Sequence, residues 1–386
     1  MSRQQFLSFS PPWLGEEEIA EVIDTLRSDW ITTGPKVKRF ERDFANFIDA
    51  PAALAVSSAT DAMLVGLAAL GIGPGDEVIT TTMTFCSTVH VIEHLGAKPV
   101  LVDVQPDTLN IDPELVANAV TPRTRALLPV HLYGHSCDMD ALTDIARQHN
   151  LFVLEDAAHA LPAYFKDRMI GTIGQLTSFS FYATKNMTSS EGGMLVGSVE
   201  LIDKARLWSL HGMSRDAYKR YSSEGSWFYE VVLPGFKCNM TDIQASLGLQ
   251  QLKKLPVFQA RRREIVRRYT QAFSQLAELQ VPAERPQVES AWHIYALRLN
   301  LDRLIIDRAR FIEELKARNI GTSVHFIPNH IHPYYRDKYG YKLEDFPVAY
   351  REYQRLISLP LYPRMSDQDV KDVIDAVIDV VSHFRR

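Results

Sequence analysis

Through its first half the chain alternates two patterns. Short apolar runs rich in Val, Ile and Leu recur, and stretches with helical spacing separate them. The runs ALAV (53–56), EVITT (77–81), PVLVDV (99–104), ALLPVH (126–131), LFVLE (151–155), QLTSFSF (175–181) and MLVG (194–197) predict strands. GEEEIAEVIDTLRS (15–28), STVHVIEHLG (87–96) and DALTDIARQHN (140–150) predict helices, the first with acids in its opening turn. Strands and helices in alternation signal an α/β domain with a mostly parallel sheet. The character changes after about residue 240. TDIQASLGLQQLKKL and QARRREIVRRYTQAFSQLAEL predict two long helices, HIYALRLN (293–300) a strand, and residues 308–319 and 366–384 further helices. The expected boundary lies near 250–260, with a large α/β domain over 1–255, N-terminal segment included, and a smaller α+β domain over 256–386.

Composition narrows this little. The chain has 386 residues, 46% hydrophobic and 23% charged, ordinary for a globular enzyme. A net charge of −5 argues against a nucleic-acid coat, which needs a basic footprint. It leaves room for an anionic small ligand in a locally positive pocket. Cys86, Cys137 and Cys238 are three, widely spaced and without a C-x-x-C, so reduced thiols and a cytoplasmic setting are expected. No apolar run reaches the ~18 residues of a membrane span. The C-terminal VIDAVIDVVSHF is interrupted by Asp375 and Asp379 and predicts an amphipathic helix.

Four features of the first half carry candidate chemistry. In LFVLEDAAHA a strand ends in Glu155-Asp156, with His159 just beyond. Acids at the carboxyl end of a parallel strand sit where open α/β sheets bind ligands, although Asp before Ala-Ala is equally a helix cap. In SFSFYATKNMTSSEGG, Lys185 follows an apolar strand and leads into a polar turn. Most loop lysines are simply solvated. The neighbours Phe179, Phe181 and Tyr182 favour a buried amine here, and a desolvated lysine can form a Schiff base. In AVSSATDAM a strand gives way to small hydroxyl residues and a helix start, a natural anion site. In TTTMTFCST, Phe85 is placed to stack on a flat ring or to fill core. Together these supply a Schiff-base lysine, an acid, a phosphate cradle and a stacking ring, which are the needs of pyridoxal phosphate.

The ordered set WITTGPK, AVSSAT, GDEVIT, EDAAHA, FSFYATKNMTSSEGG, PGFKCNMTDIQA, AWH, IGTSVHF and SLPLYP resembles the DegT/StrS-type nucleotide-sugar aminotransferases. The resemblance runs almost end to end and is closest to members that aminate a UDP-linked 4-keto pentose. It implies a fold-type I pyridoxal phosphate transferase with a seven-stranded large-domain sheet. It implies Lys185 as the Schiff-base lysine and proton shuttle, and Asp156 as partner of the pyridine nitrogen. His159 would lie on the ring-oxygen side, and Phe85 would stack on the ring. Ser58, Ala59, Thr60 and Ser180 would hold the phosphate. Asn239 would reach the cofactor of a second subunit, which implies a homodimer with shared sites. His325, Thr32 and Thr33 would line the substrate cleft. The implied substrates are L-glutamate, giving 2-oxoglutarate, and a nucleotide-linked keto sugar. Dehydratase relatives carry His where Lys185 stands, so transamination is expected. Tyr182 departs from the His common three residues before this Lys. A dehydrating relative and a non-enzymatic cofactor-binding regulator are the alternatives.

Competing motifs are weaker. His90-Val-Ile-Glu93-His94 matches the H-x-x-E-H pattern of inverted zinc peptidases, but the expectation is no metal. His330 and His332 suit a loop near the substrate. The arginine run 261–268 reads as a solvated helix face.

Overall fold

The computed structural model describes residues 3–213 and 228–386. Its main sheet has seven strands, in spatial order Ala52–Val56, Gly193–Gly197, Leu176–Ser180, Phe152–Asp156, Thr124–Leu128, Glu77–Thr81, Lys98–Val102. Gly193–Gly197 runs antiparallel to both of its neighbours, and the other six strands are parallel. The α/β expectation therefore holds, with the strands near 99–104 and 126–131 ending earlier than the apolar runs suggest.

Both faces of the sheet are buried, and the pleat sorts the side chains. Ala53, Ile79, Leu127, Val153, Phe179 and Val196 enter one core. Leu54, Val78, Ala126, Leu154, Leu176 and Leu195 enter the other. The parallel strands all end at one edge, and the antiparallel strand begins there, with Gly193 paired to both Val56 and Ser180.

The two helices expected after residue 240 are one, Asp242–Phe273, continuous through Pro256. Its first half buries Ala245, Leu249 and Leu255 against the sheet. Its second half buries Ile265, Tyr269 and Phe273 in a separate core with the helices Arg308–Ala317 and Asp367–Phe384. Apolar burial on both sides outweighs the roughly 3 kcal/mol that an interior proline costs. That second core covers a three-stranded antiparallel sheet of Leu279–Gln280, Tyr295–Leu299 and Leu356–Leu359. Leu7 also joins it, so the N-terminal segment packs on the C-terminal part.

Candidate active site

The carboxyl edge of the parallel strands opens on a cavity of about 470 Å³. Ser58, Ala59, Thr60, Phe85, Asp156, His159, Ser180, Lys185 and His325 all line it, so nine of the expected site residues meet in one place. Their positions follow from the sheet. Asp156 is the last residue of its strand and Ser180 the last of the next. Ser58 follows the edge strand and caps the helix Ala59–Ala69, its Oγ accepting the Asp61 N–H. Phe85 is exposed in the loop that leads into the helix Ser87–His94.

Pleating separates the two acids. Glu155 turns into the sheet, where Oε2 meets His131 Nε2 at 2.8 Å and Oε1 accepts from Gly174 N (2.7 Å) and Thr177 Oγ1 (2.9 Å). Asp156 faces the cavity. Its Oδ1 accepts from Ala158 N (3.0 Å) and its Oδ2 from Thr88 Oγ1 (2.8 Å). Burial pushes this carboxyl above its ordinary range, and those two hydrogen bonds oppose the shift. It forms no ion pair among the described residues.

Lys185 sits in the loop beyond Ser180, its N–H donating to the Tyr182 carbonyl at 3.0 Å. Burial lowers its amine from 10.5 to about 8, and Asp156 works against that. His159 Nδ1 accepts the Tyr133 N–H at 3.3 Å, and its ring stacks on Phe326 with centroids 5.7 Å apart. Burial, then Lys185, pushes His159 well below its usual value. His325 is pushed down to about 4 by the same two causes; its Nδ1 lies 2.8 Å from Ser358 Oγ. Phe9, from the N-terminal segment, stacks on the His325 ring.

Three expected residues lie outside this cavity and beside one another. Asn239 donates to Thr33 Oγ1 at 2.7 Å, Thr33 Oγ1 donates to the Met240 carbonyl, and the Thr32 carbonyl accepts the Asp242 N–H at 3.0 Å. Sequence reasoning passed over Thr88, Phe326, Phe9 and the part that His293 plays in the wall. Only the AWH motif pointed to the last. The H-x-x-E-H segment is otherwise engaged. Glu93 accepts from Lys338, Tyr339 and Tyr334, and the His90 ring stacks on Tyr335. Among the described residues no group of three His, Cys, Asp or Glu could hold a metal ion. His330 is buried against Thr82 and Phe346.

This is a lysine of lowered pKa, a buried acid that forms no ion pair among the described residues and a capped helix start around one cavity. The sequence profile of one family matches residues 12–378, nearly all of the chain. The chain belongs to the DegT/DnrJ/EryC1/StrS aminotransferase family. Spore coat polysaccharide biosynthesis protein SpsC of Bacillus subtilis is 55% identical over 381 residues, 98% of each chain. The candidate sugar aminotransferase Spr1654 of Streptococcus pneumoniae, solved in a pyridoxamine-phosphate form, superposes with a TM-score of 0.92 at 37% identity, covering 98% of this chain and 99% of that one. It is also solved in a pyridoxal-phosphate form. PseC of Helicobacter pylori, an aminotransferase of pseudoaminic acid biosynthesis, gives 0.91 at 26% identity over 99% and 100% of the chains. The fold-type I expectation holds on these likenesses.

The DegT-family cofactor fits the residues present. A buried carboxylate that faces the cavity and has no ion-pair partner among the described residues suits a ring nitrogen that keeps its proton. The N–H groups of Ala59 and Thr60 lie ahead of their helix's own ladder and suit a phosphate. Gly193 makes room for them: a Cβ there would fall 2.3 Å from Ser58 C and 2.6 Å from Ala59 N. Among the described residues no helix is long and apolar enough to cross a membrane.

Proposed function

We propose that this chain is a pyridoxal phosphate-dependent aminotransferase that moves the amino group of L-glutamate to a nucleotide-linked keto sugar, with a 4-keto sugar as the simplest case. Sugar aminotransferases are its structural neighbours, and its cofactor is pyridoxal 5′-phosphate, alternating with the pyridoxamine form. The carrying observation is Lys185, held near pKa 8 in the same cavity as Asp156 and the start of the helix Ala59–Ala69.

Bound there, the cofactor supplies an electron sink for the amino-acid α-carbon and carries nitrogen between the two substrates. The residues do the rest. Asp156, steadied by Thr88 and Ala158, would keep a proton on the ring nitrogen. Ser58, Ala59, Thr60 and Ser180 would hold the phosphate, and Phe85 would cover the ring. Lys185, neutral in part at working pH, would take a proton from the amino-acid α-carbon and deliver it to the cofactor's C4′ carbon, on the other side of the nitrogen that the two would share. His325, with Phe9 behind it, would border the sugar. A further exposed ring at the cavity wall, Tyr182, offers surface for a flat nucleotide base. Thr32, Thr33 and Asn239 would complete the cleft of a second copy in a homodimer, in the cytoplasm.

The test is an absorbance titration. Pyridoxal phosphate should raise a visible band that L-glutamate bleaches, and mass spectrometry of a nucleotide keto sugar should then read the amino sugar. Lys185→Ala should lose at least about 10³-fold in turnover while its circular dichroism is unchanged. Wild-type turnover in that variant would overturn the reading. A deoxy sugar as product would replace it with the dehydratase, and a band indifferent to every amino donor with the regulator.

A further inference from the structure

The segment that carries His325 and Phe326 past the cavity also grips the loop that carries Phe85. Just beyond those two wall residues, Asn329 opens the short 3₁₀ turn Asn329–Ile331. Its backbone N–H donates to the Thr82 carbonyl at 2.7 Å. Its side-chain nitrogen donates to the carbonyls of Thr82 (3.2 Å) and Thr84 (2.9 Å). His330 extends the contact, its N–H donating to Thr82 Oγ1 at 3.3 Å and its Nδ1 lying 2.8 Å from the same oxygen. Thr82, Thr84, Asn329 and His330 are all buried.

The amide has one workable orientation. Both of its protons go to carbonyls, and turning it over would set its oxygen against them. Oδ1 is buried and accepts from no described residue. Asn329 therefore serves through its donors. A leucine of similar size would fill the space without an amide oxygen to bury. It could not hold the Thr84 carbonyl.

That carbonyl belongs to the peptide unit joining Thr84 to Phe85. On one side of the unit is the Phe85 ring, which meets Phe326 with centroids 5.9 Å apart. More than half of Phe85 is exposed, so packing does little to fix it and the backbone before it sets where the ring lies. On the other side, Thr84 Oγ1 lies 2.9 Å from Thr88 Oγ1, which lies 2.8 Å from Asp156 Oδ2. A carboxylate only accepts, so the Thr88 proton goes to Asp156 and Thr84 donates to Thr88. One peptide unit thus stands between the ring that would cover the cofactor and the hydroxyl pair that reaches the acid.

We propose that Asn329 is a positioning residue for the cofactor site: by holding the Thr84 carbonyl it fixes Phe85 at the cavity and keeps Thr84 directed at Thr88 and Asp156. The proposal rests on the transaminase reading, which supplies the cofactor that Phe85 covers. Preorganised in this way, the ring and the acid need no reordering when the cofactor arrives.

The test is calorimetric titration of the cofactor-free enzyme with pyridoxamine phosphate, which Lys185 does not hold covalently. Asn329→Leu should weaken binding roughly 3- to 10-fold, the worth of one net hydrogen bond. It should also change the visible circular dichroism of the pyridoxal phosphate holoenzyme while the far-ultraviolet spectrum stays the same. A purely structural role would leave the visible band as it is. Phe85→Ala should weaken binding by itself, and adding Asn329→Leu to it should cost less than about 2-fold more, because the two act through one path. Asn329→Asp, equal in shape but unable to donate to both carbonyls, is the second variant and should behave as Asn329→Leu does. Folded Asn329 variants with wild-type Kd and a wild-type visible band overturn the proposal, as does a double variant in which the two losses simply add. Wild type that takes up neither cofactor form fails the transaminase reading and this proposal with it. Wild type that binds and transaminates beside an equally tight Asn329→Leu fails this proposal alone.

Discussion

At the scale of single residues, the site holds two ionisable groups in protonation states that folding disfavours, and each makes a prediction. Lys185 is displaced from 10.5 to about 8. Below pH 8 the amine is protonated in both folded and unfolded chains, and burying the charge costs about 3 kcal/mol in full. Between pH 8 and 10.5 the unfolded chain binds the extra proton, so stability rises with pH and the cost fades. Lys185→Met should therefore raise the Tm of the cofactor-free protein at pH 7, and the gain should shrink towards pH 10; calorimetry at a series of pH values reads both. Asp156 is the opposite case, a carboxyl pushed up by burial and pulled back by Thr88 and Ala158. Thr88→Val removes a hydrogen bond to a charge, worth about 1.5–3 kcal/mol. The carboxyl should then rise further, moving the acid limb of the glutamate half-reaction to higher pH by one unit or more. Asp156 and Lys185 were legible from the sequence because Asp156 ends one strand and Lys185 lies in the loop after another, where topology alone sends a side chain to the ligand edge. Thr88 and His293 were not, because their partners are 68 and 107 residues away in the chain and only the folded sheet brings them near.

At the scale of elements, legibility depended on where the capping group comes from. The helix Ala59–Ala69 announces itself, since Ser58 and Asp61 cap it locally. The amphipathic helix Pro35–Ile48 starts after Gly34 with no side-chain cap of its own. Its N–H groups at Gly34, Lys36 and Val37 are taken by the Asp242 carboxylate, about 200 residues on. The sequence reading placed no helix here, although Pro35 stands at its first turn and its apolar positions are helically spaced. Conversely, Pro256 suggested a break that burial in two cores overrides. The element contact that matters most for chemistry is Gly193 against the turn Ser58–Ala59. The atoms that a Cβ would strike are backbone, so Gly193→Ala forces the strand or the helix start to shift. Overpacking of this kind costs about 1–3 kcal/mol. The shift falls on the candidate phosphate cradle, so the preference for pyridoxal phosphate over pyridoxal should shrink in Gly193→Ala. Competitive titration of the two cofactors by absorbance measures that preference, and an unchanged ratio would remove Gly193 from the cradle.

At the scale of the whole molecule, one observation asks for a second chain. Asn239, Thr32 and Thr33 form a hydrogen-bonded group outside the cavity that the other expected residues share. Nearby in sequence, the helix Glu16–Arg27 leaves Ile19, Ile23 and Leu26 exposed at helical spacing, and Trp30 and Ile31 extend the stripe. An apolar face of this kind would suit the proposed second copy, since in a two-fold pair the same patch serves both copies. If Asn239 serves the site of the other copy, Lys185→Ala and Asn239→Ala damage sites through different chains. Each variant alone should be inactive. Unfolded together and refolded at equal amounts, half the dimers should be hybrids, each with one doubly damaged site and one intact site. Recovery of about a quarter of wild-type activity is the expected result. If Asn239 instead served its own chain's cavity, every hybrid site would carry one lesion and no activity would return. Light scattering on the same mixture fixes the assembly size, so that failure to pair is distinguished from pairing without exchange of residues.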